Sequence, residues 1–195
     1  MMSMLSLLVY AFVASFTPGP NNIMSLYYAN KFGLRGTFRF CLGVGLGFFI
    51  LLIFANYFSV ALKTTFPEVE LFMKLFGCLY LIYLAYKIIT SKLEEEQQFN
   101  NRYNNLMSGA MLQFINPKAT IYAITVTSTF VTPFYHNYLT QFLLVILLAV
   151  IGFLGTFSWS LFGALFKEWI AKYQSVFNII MAMLLLYTAA TILFH

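Results

Sequence analysis

Long apolar runs alternate along this chain with short polar ones, and the lengths of the apolar runs set the first expectation. A helix that crosses a bilayer needs about 20 mostly apolar residues. Six stretches meet that requirement: about Met4 to Asn30, Phe38 to Leu62, Leu71 to Ile89, Leu106 to Val131, Tyr138 to Phe166 and Tyr173 to Phe194. Only loops and very short termini remain between and beyond them. The expected fold class is therefore an all-α integral membrane protein with six transmembrane helices, forming a single transmembrane domain over 1–195. The longest polar stretch, Ser91 to Asn105, carries Glu94, Glu95 and Glu96 followed by Gln97 and Gln98. It is read as a solvated connecting loop.

Composition supports the bilayer as solvent. The chain is 61% hydrophobic and 9% charged, where a soluble domain is roughly 45–50% apolar and about 25% charged. Too little polar side chain remains to cover a soluble surface. Aromatic residues make up 19%, with 23 Phe and 13 Tyr, most of them read as facing lipid and neighbouring helices. Residues 1–16 lack a basic start and the apolar run continues past them, so no cleavable signal peptide is expected.

The net charge of +5 is not a nucleic-acid footprint, because the basic residues sit between apolar runs rather than in a stripe. They read as topology signals. Lys31, Arg35 and Arg39, then Lys87, Lys92 and Arg102, then Lys167 and Lys172 fall in loops one, three and five; the other side has only Lys63 and Lys74. The positive-inside rule puts loops one, three and five in the cytoplasm and both termini outside.

Three helices, a polar loop and three more helices make two units of odd helix number, which insert in opposite senses. The expected plan is two inverted three-helix repeats, repeat one over about 1–90, a cytoplasmic loop over about 91–105, and repeat two over about 106–195. The first span of each repeat carries a proline-containing break. These are Thr17-Pro18-Gly19-Pro20-Asn21-Asn22 and Asn116-Pro117-Lys118, and a shift of 99 residues lays Pro18 on Pro117.

Proline removes an amide donor and its ring clashes with the preceding turn. In lipid, the freed carbonyls must find partners in protein or in a water-lined cavity. Matched breaks in two repeats point to a transport site. A half-helix starting at Asn21 or Asn22 presents amides and a positive dipole end to a carboxylate. The freed carbonyls suit an ammonium, so a small zwitterion fits both. The plainer reading is a pair of proline kinks, with Asn21, Asn22 and Asn116 as interhelical glue.

Lys118 is the only charged residue well inside an apolar span. Such a group by default marks a pathway, and the plainer reading is a stem that snorkels to the interface. The acids, Glu68, Glu70, Glu94, Glu95, Glu96 and Glu168, lie in loops or at helix ends. A carboxylate proton relay across the bilayer is therefore missing. Gly43 and Gly47 in the second span, and Gly152 and Gly155 in the fifth, are read as helix packing inside the protein in preference to a dimer contact, which leaves a homodimer open. Trp169, beside Lys167 and Lys172, is read as an interfacial anchor, and Trp159 as a residue facing the bundle.

The two breaks make the chain recognisable. Thr17-Pro18-Gly19-Pro20-Asn21-Asn22, with Asn116-Pro117-Lys118-Ala119 at the start of the second half, resembles the LysE/RhtB family of amino-acid exporters over nearly the whole chain. The segments Ser128-Thr129-Phe130-Val131 before Pro133, Ile151 to Phe157 and Asn178 to Tyr187 look most like the subgroup that exports cysteine and O-acetylserine. The resemblance implies efflux of a small amino acid across a bacterial cytoplasmic membrane, coupled to the proton gradient, with no catalytic residues and no cofactor. Its signature positions fall on Pro18, Gly19, Pro20 and Asn21, and on Asn116, Pro117 and Lys118. Asn21 stands where some members of the family carry Asp, which removes a carboxylate that such coupling could use.

Three other classes fit less well. A membrane thiol-disulfide reductant needs one reactive cysteine in each repeat, and Cys41 and Cys78 both fall in the first. A non-transporting assembly or anchoring protein has no need of paired breaks or a buried lysine. A divalent-metal exporter wants acids, histidines or thiolates within the spans, whereas His136 and His195 lie at outer ends. No metal ligands are assigned.

Overall fold

In the computed structural model of this protein the described residues are 4–57, 75, 78–86, 88–89 and 104–194. Among them there is helix and no strand. Helix α1 covers Met4–Phe16 and α2 covers Pro20–Tyr57. Helices α3, Leu106–Ile115, and α4, Pro117–Val126, follow, and a π-helical turn, Thr127–Val131, extends α4. Helix α5 spans Tyr138–Leu165, α6 spans Lys167–Lys172 and α7 spans Gln174–Phe194. Residues 78–86 and 88–89, part of the third expected span, are helical. Lys63, Glu68, Glu70, Lys74, Lys87, the loop residues 91–103 and His195 lie outside the described residues.

The sequence dictates several of these limits. Gly33 has φ 74° and ψ 172°, a conformation L side chains rarely adopt. It kinks α2 into two helical arms, so the first expected span ends and the second begins on either side of it. Side-chain caps start the later helices. Asn105 accepts from the Ser108 amide at 3.0 Å, and Asn137 accepts from the Leu139 amide at 2.8 Å. Two helices, Pro20–Tyr57 and Tyr138–Leu165, are long and apolar enough by themselves to cross a membrane. The 13 residues of α1 cover about 20 Å. Only together with the first arm of α2 does α1 reach bilayer thickness.

Helix α2 packs mainly along α5 and α3, and α1 lies against α5. Glycines set how close these helices come. A methyl group at Gly47 would stand 2.6 Å from the Ala110 carbonyl oxygen on α3, and one at Gly155 would stand 2.6 Å from the Ser15 carbonyl oxygen on α1. Gly43 meets the backbone of Leu106, and Gly152 meets the Phe48 ring. All four glycines make close contacts inside the chain.

Two apolar clusters result. One joins Tyr27, Phe40 and Val44 of α2 to Leu81, Leu84 and Leu185. The other joins Leu7 and Ala11 of α1 to Leu52, Val126, Val145 and Leu148. The outer faces are apolar as well: Leu5, Val9, Ile50, Leu79, Met107, Leu139, Leu143 and Leu161 are exposed. An apolar periphery on this scale suits lipid. Cys41 and Cys78 are buried free thiols, the first 3.0 Å from the Ser160 hydroxyl and the second donating to the Ala189 carbonyl at 3.2 Å.

Candidate functional site

Proline decides where the first span breaks. A helix tolerates Pro at its first position, where the missing amide proton has no partner to lose, but not in its interior. Helix α1 therefore stops at Phe16. Thr17, Pro18 and Gly19 lie outside helix, and α2 starts at Pro20. A run of backbone carbonyls is left without helical donors.

Every one of these carbonyls from Val13 to Gly19 finds a donor. The Thr17 amide donates to Val13 O at 3.1 Å, and the Ile23 amide to Gly19 O at 2.9 Å. The Thr17 hydroxyl donates to Ala14 O at 3.1 Å. Asn22 Nδ2 donates to both Ser15 O and Thr17 O at 2.9 Å. On α5, Trp159 Nε1 donates to Phe16 O at 3.1 Å. Lys118 arrives from the second half of the chain. Its Nζ donates to Thr17 O at 3.1 Å, Thr17 Oγ1 at 2.9 Å and Pro18 O at 3.1 Å, which uses all three ammonium protons. Gly19 makes room for this lysine, since a Cβ there would come within 3.0 Å of Lys118 Cδ.

The second break is smaller and caps itself. Asn116 alone is extended, at φ −84° and ψ 104°, and Pro117 opens α4. Asn116 Oδ1 accepts from the Lys118 amide at 3.1 Å, while its carbonyl accepts from the Ala119 and Thr120 amides at 3.0 and 3.2 Å. The remaining amide group of Asn116 turns to the first break. Its Nδ2 donates to Asn21 Oδ1 at 3.2 Å, and Asn21 Nδ2 donates to Gln113 Oε1 at 3.0 Å. Asn22 is anchored separately, with Thr156 Oγ1 donating to its Oδ1 at 3.1 Å.

A small cavity, open at its mouth, lies between the two breaks. Its polar lining includes Asn21, Asn22, Gln113, Asn116, Lys118 and Tyr122. The partners of the Lys118 ammonium are all neutral oxygens, so its charge is not cancelled by an acid there. With the positive N-terminal end of α2 beside it, the cavity favours an anionic group.

Each residue singled out at the breaks therefore has a definite place. Pro18 and Pro20 open the first break, and Pro117 with Asn116 makes the second. Gly19, Asn21, Asn22, Asn116 and Lys118 line one cavity. One expectation is revised. The carbonyls freed at the first break are not open to a substrate ammonium, because Lys118, Asn22 and Trp159 already donate to them. Lys118 does not snorkel away from the bundle; it folds onto the opposite break. Trp169 is exposed and stands 5.5 Å from the Tyr173 ring.

Gln113, Tyr122 and Thr156 also line the cavity and were not foreseen. Only Gln113 left a signal in the sequence, as an uncharged amide in an apolar run one helical turn before Asn116. Among the described residues no group of three or more His, Cys, Asp or Glu is arranged to hold a metal ion.

Residues 12–195 match the family described as LysE type translocator. The chain is 34% identical over 185 residues to the cysteine/O-acetylserine efflux protein of Escherichia coli strain K12, covering 95% of this chain and 94% of the relative. It stands at the same 34% identity and the same coverages to the proteins of that name from Shigella flexneri serotype 5b and Escherichia coli O139:H28. No solved structure gave a significant match.

Proposed function

Since this chain belongs to the LysE-type translocators, an inner-membrane family of efflux transporters rather than enzymes, we propose that it exports a small amino acid of the cysteine or O-acetylserine type from the cytoplasm. The observation that carries the reading is the meeting of two helix breaks about a hundred residues apart in sequence. Lys118 of the second break donates to Thr17 and Pro18 of the first, Asn116 donates to Asn21, and Lys118, Asn116 and Asn21 border one cavity.

In this reading the chain works as two three-helix repeats of opposite sense, related by the shift that lays Pro18 on Pro117. The substrate binds between the breaks, its carboxylate toward Lys118 and the amino end of α2. Asn21, Asn22 and Asn116 hold the breaks in register. The repeats then rock against one another to open the cavity to each side in turn. Loops one, three and five face the cytoplasm, and the proton gradient drives export. The polar links between the breaks join the repeats without covalent strain, which suits such a motion.

The test is efflux from preloaded cells. Loss of L-cysteine, O-acetyl-L-serine, L-threonine and L-homoserine is followed with and without the protein, before and after collapsing the proton gradient. Faster loss of cysteine or O-acetylserine that stops when the gradient is collapsed is the expected result. No acceleration for any of the four, with the protein present in the membrane, overturns the reading. Unchanged efflux in Asn21→Ala and Lys118→Ala variants would remove the site while leaving the exporter in place.

A further inference from the structure

The geometry points to Gln113 as a substrate-binding residue, whose side-chain amide group donates a hydrogen bond to the carboxylate of the transported amino acid. This inference rests on the exporter reading above and deepens it.

Side-chain amides are ordinarily ambiguous, because oxygen and nitrogen are hard to tell apart by shape. Here the ambiguity is removed by a group that can only donate. The Lys118 backbone N–H lies 3.1 Å from the Asn116 side chain, which must therefore present Oδ1 to it. Asn116 then has only Nδ2 left to offer Asn21, 3.2 Å away, so Asn21 presents Oδ1. Asn21 in turn offers Nδ2 to Gln113, 3.0 Å away, so Gln113 presents Oε1. Three amides in series are oriented by one backbone proton, and the last has its donor end left over.

That donor end is buried. Gln113 is 1% exposed, and its Nε2 has no hydrogen-bond partner among the described residues. A buried donor without an acceptor is costly and seldom kept without a reason. Gln113 lines the same cavity as Lys118, whose ammonium has only neutral oxygens as partners. A donor without an acceptor and a cation without a counter-ion on one cavity describe an anion of small size, and a carboxylate satisfies both. Asn21 is then a positioning residue. It fixes the donor as the end of Gln113 left without a partner, and a reversed series would leave the oxygen instead and repel the same carboxylate.

Binding and transport by the purified full-length protein test this. Affinity for L-cysteine and for L-cysteine methyl ester, which keeps the ammonium and thiol but not the carboxylate charge, is read from intrinsic tryptophan fluorescence. Counterflow of L-cysteine, O-acetyl-L-serine, L-threonine and L-homoserine is measured in proteoliposomes. In Gln113→Glu and in Gln113→Met, which keeps the shape without the donor, cysteine affinity should fall at least about tenfold while ester affinity stays within about threefold. The counterflow KM should rise with kcat held within about threefold. Asn21→Asp accepts from Gln113 Nε2 and so turns Gln113 Oε1 inward; it should lose cysteine affinity in the same way. Wild-type affinity in all three variants, or parallel loss of cysteine and ester, overturns the inference. A wild-type protein without counterflow of any of the four amino acids overturns the exporter reading and this one together. Wild-type counterflow with unaltered Gln113 variants overturns this one alone.

Discussion

At the first helix break three residues, Thr17 to Gly19, leave the helix, while at the second only Asn116 does. The second break finds its partners within a few residues, since Asn116 caps the helix that Pro117 begins. The first does so only in part. Its carbonyls accept from Asn22 on α2, Trp159 on α5 and Lys118 on α4, so it is complete only when three other helical elements are in place. A break that caps itself is a fixed point that can form as the chain folds. A break completed from a distance changes whenever its partners move, which makes the first the part that a transport cycle can remodel and the second the part that stays.

Lys118 belongs to both, since its backbone amide serves the local cap and its ammonium serves the remote break. Its substitution should have the largest effect. Lys118→Met keeps the length of the stem and the backbone amide, so the second break survives while Pro18 O loses its donor and the cavity its cation. Export should fall at least about a hundredfold, with stability lowered by about 2–3 kcal/mol. Efflux normalised to protein in the membrane, together with a thermal melt in detergent, measures both. Near-normal export in Lys118→Met would end the distinction between the two breaks, because the ammonium bonds from the second to the first would then be idle.

A pair of asparagines sharpens the comparison at the next level. Asn22→Ala removes two carbonyl contacts across the first break and the link to Thr156, and should cost about 2 kcal/mol. Asn116→Ala removes a helix cap and the contact to Asn21, and should cost about 1 kcal/mol. The order of the unfolding temperatures is the readout. Equal losses for Asn22→Ala and Asn116→Ala would mean that the two breaks weigh alike in stability.

The features legible in the sequence are those that do not depend on neighbours. Run length gave the helical, apolar character of the chain, and the missing donor of proline placed both breaks, because each follows from a few consecutive residues. The bend at Gly33 was not read, since a glycine in a basic loop and a glycine joining two helices look alike until φ is known. Gln113, Tyr122 and Thr156 were missed for a related reason. A lone polar residue in an apolar run faces the cavity or another helix according to rotation about the helix axis, and rotation is set by packing, here by glycines such as Gly47 and Gly155. Lys118 stood between two readings because its partners are a hundred residues away. The amide series could not be read at all, because its direction depends on one backbone proton and three contacts.

Trp159→Phe is the mildest test and the one most specific to the remote break. One aromatic ring remains, while the Nε1 proton to Phe16 O, a bond of 3.1 Å between α5 and the end of α1, is lost together with part of the indole's packing. Interhelical hydrogen bonds in membranes average about 0.6 kcal/mol, so the melt should shift by no more than a degree or two. Export is the informative quantity. If the carbonyls of the first break exchange donors during the cycle, removing one donor changes the rate at which the break opens and recloses. Export should then change by about two- to fivefold while the melt stays nearly still, because about 0.6 kcal/mol is worth a factor of roughly three in rate. A melt and an export rate that are both unaltered would mean that the α5 contact only fills a vacant acceptor, and that the remodelled part of the first break is confined to the carbonyls of Thr17 and Pro18 that Lys118 holds.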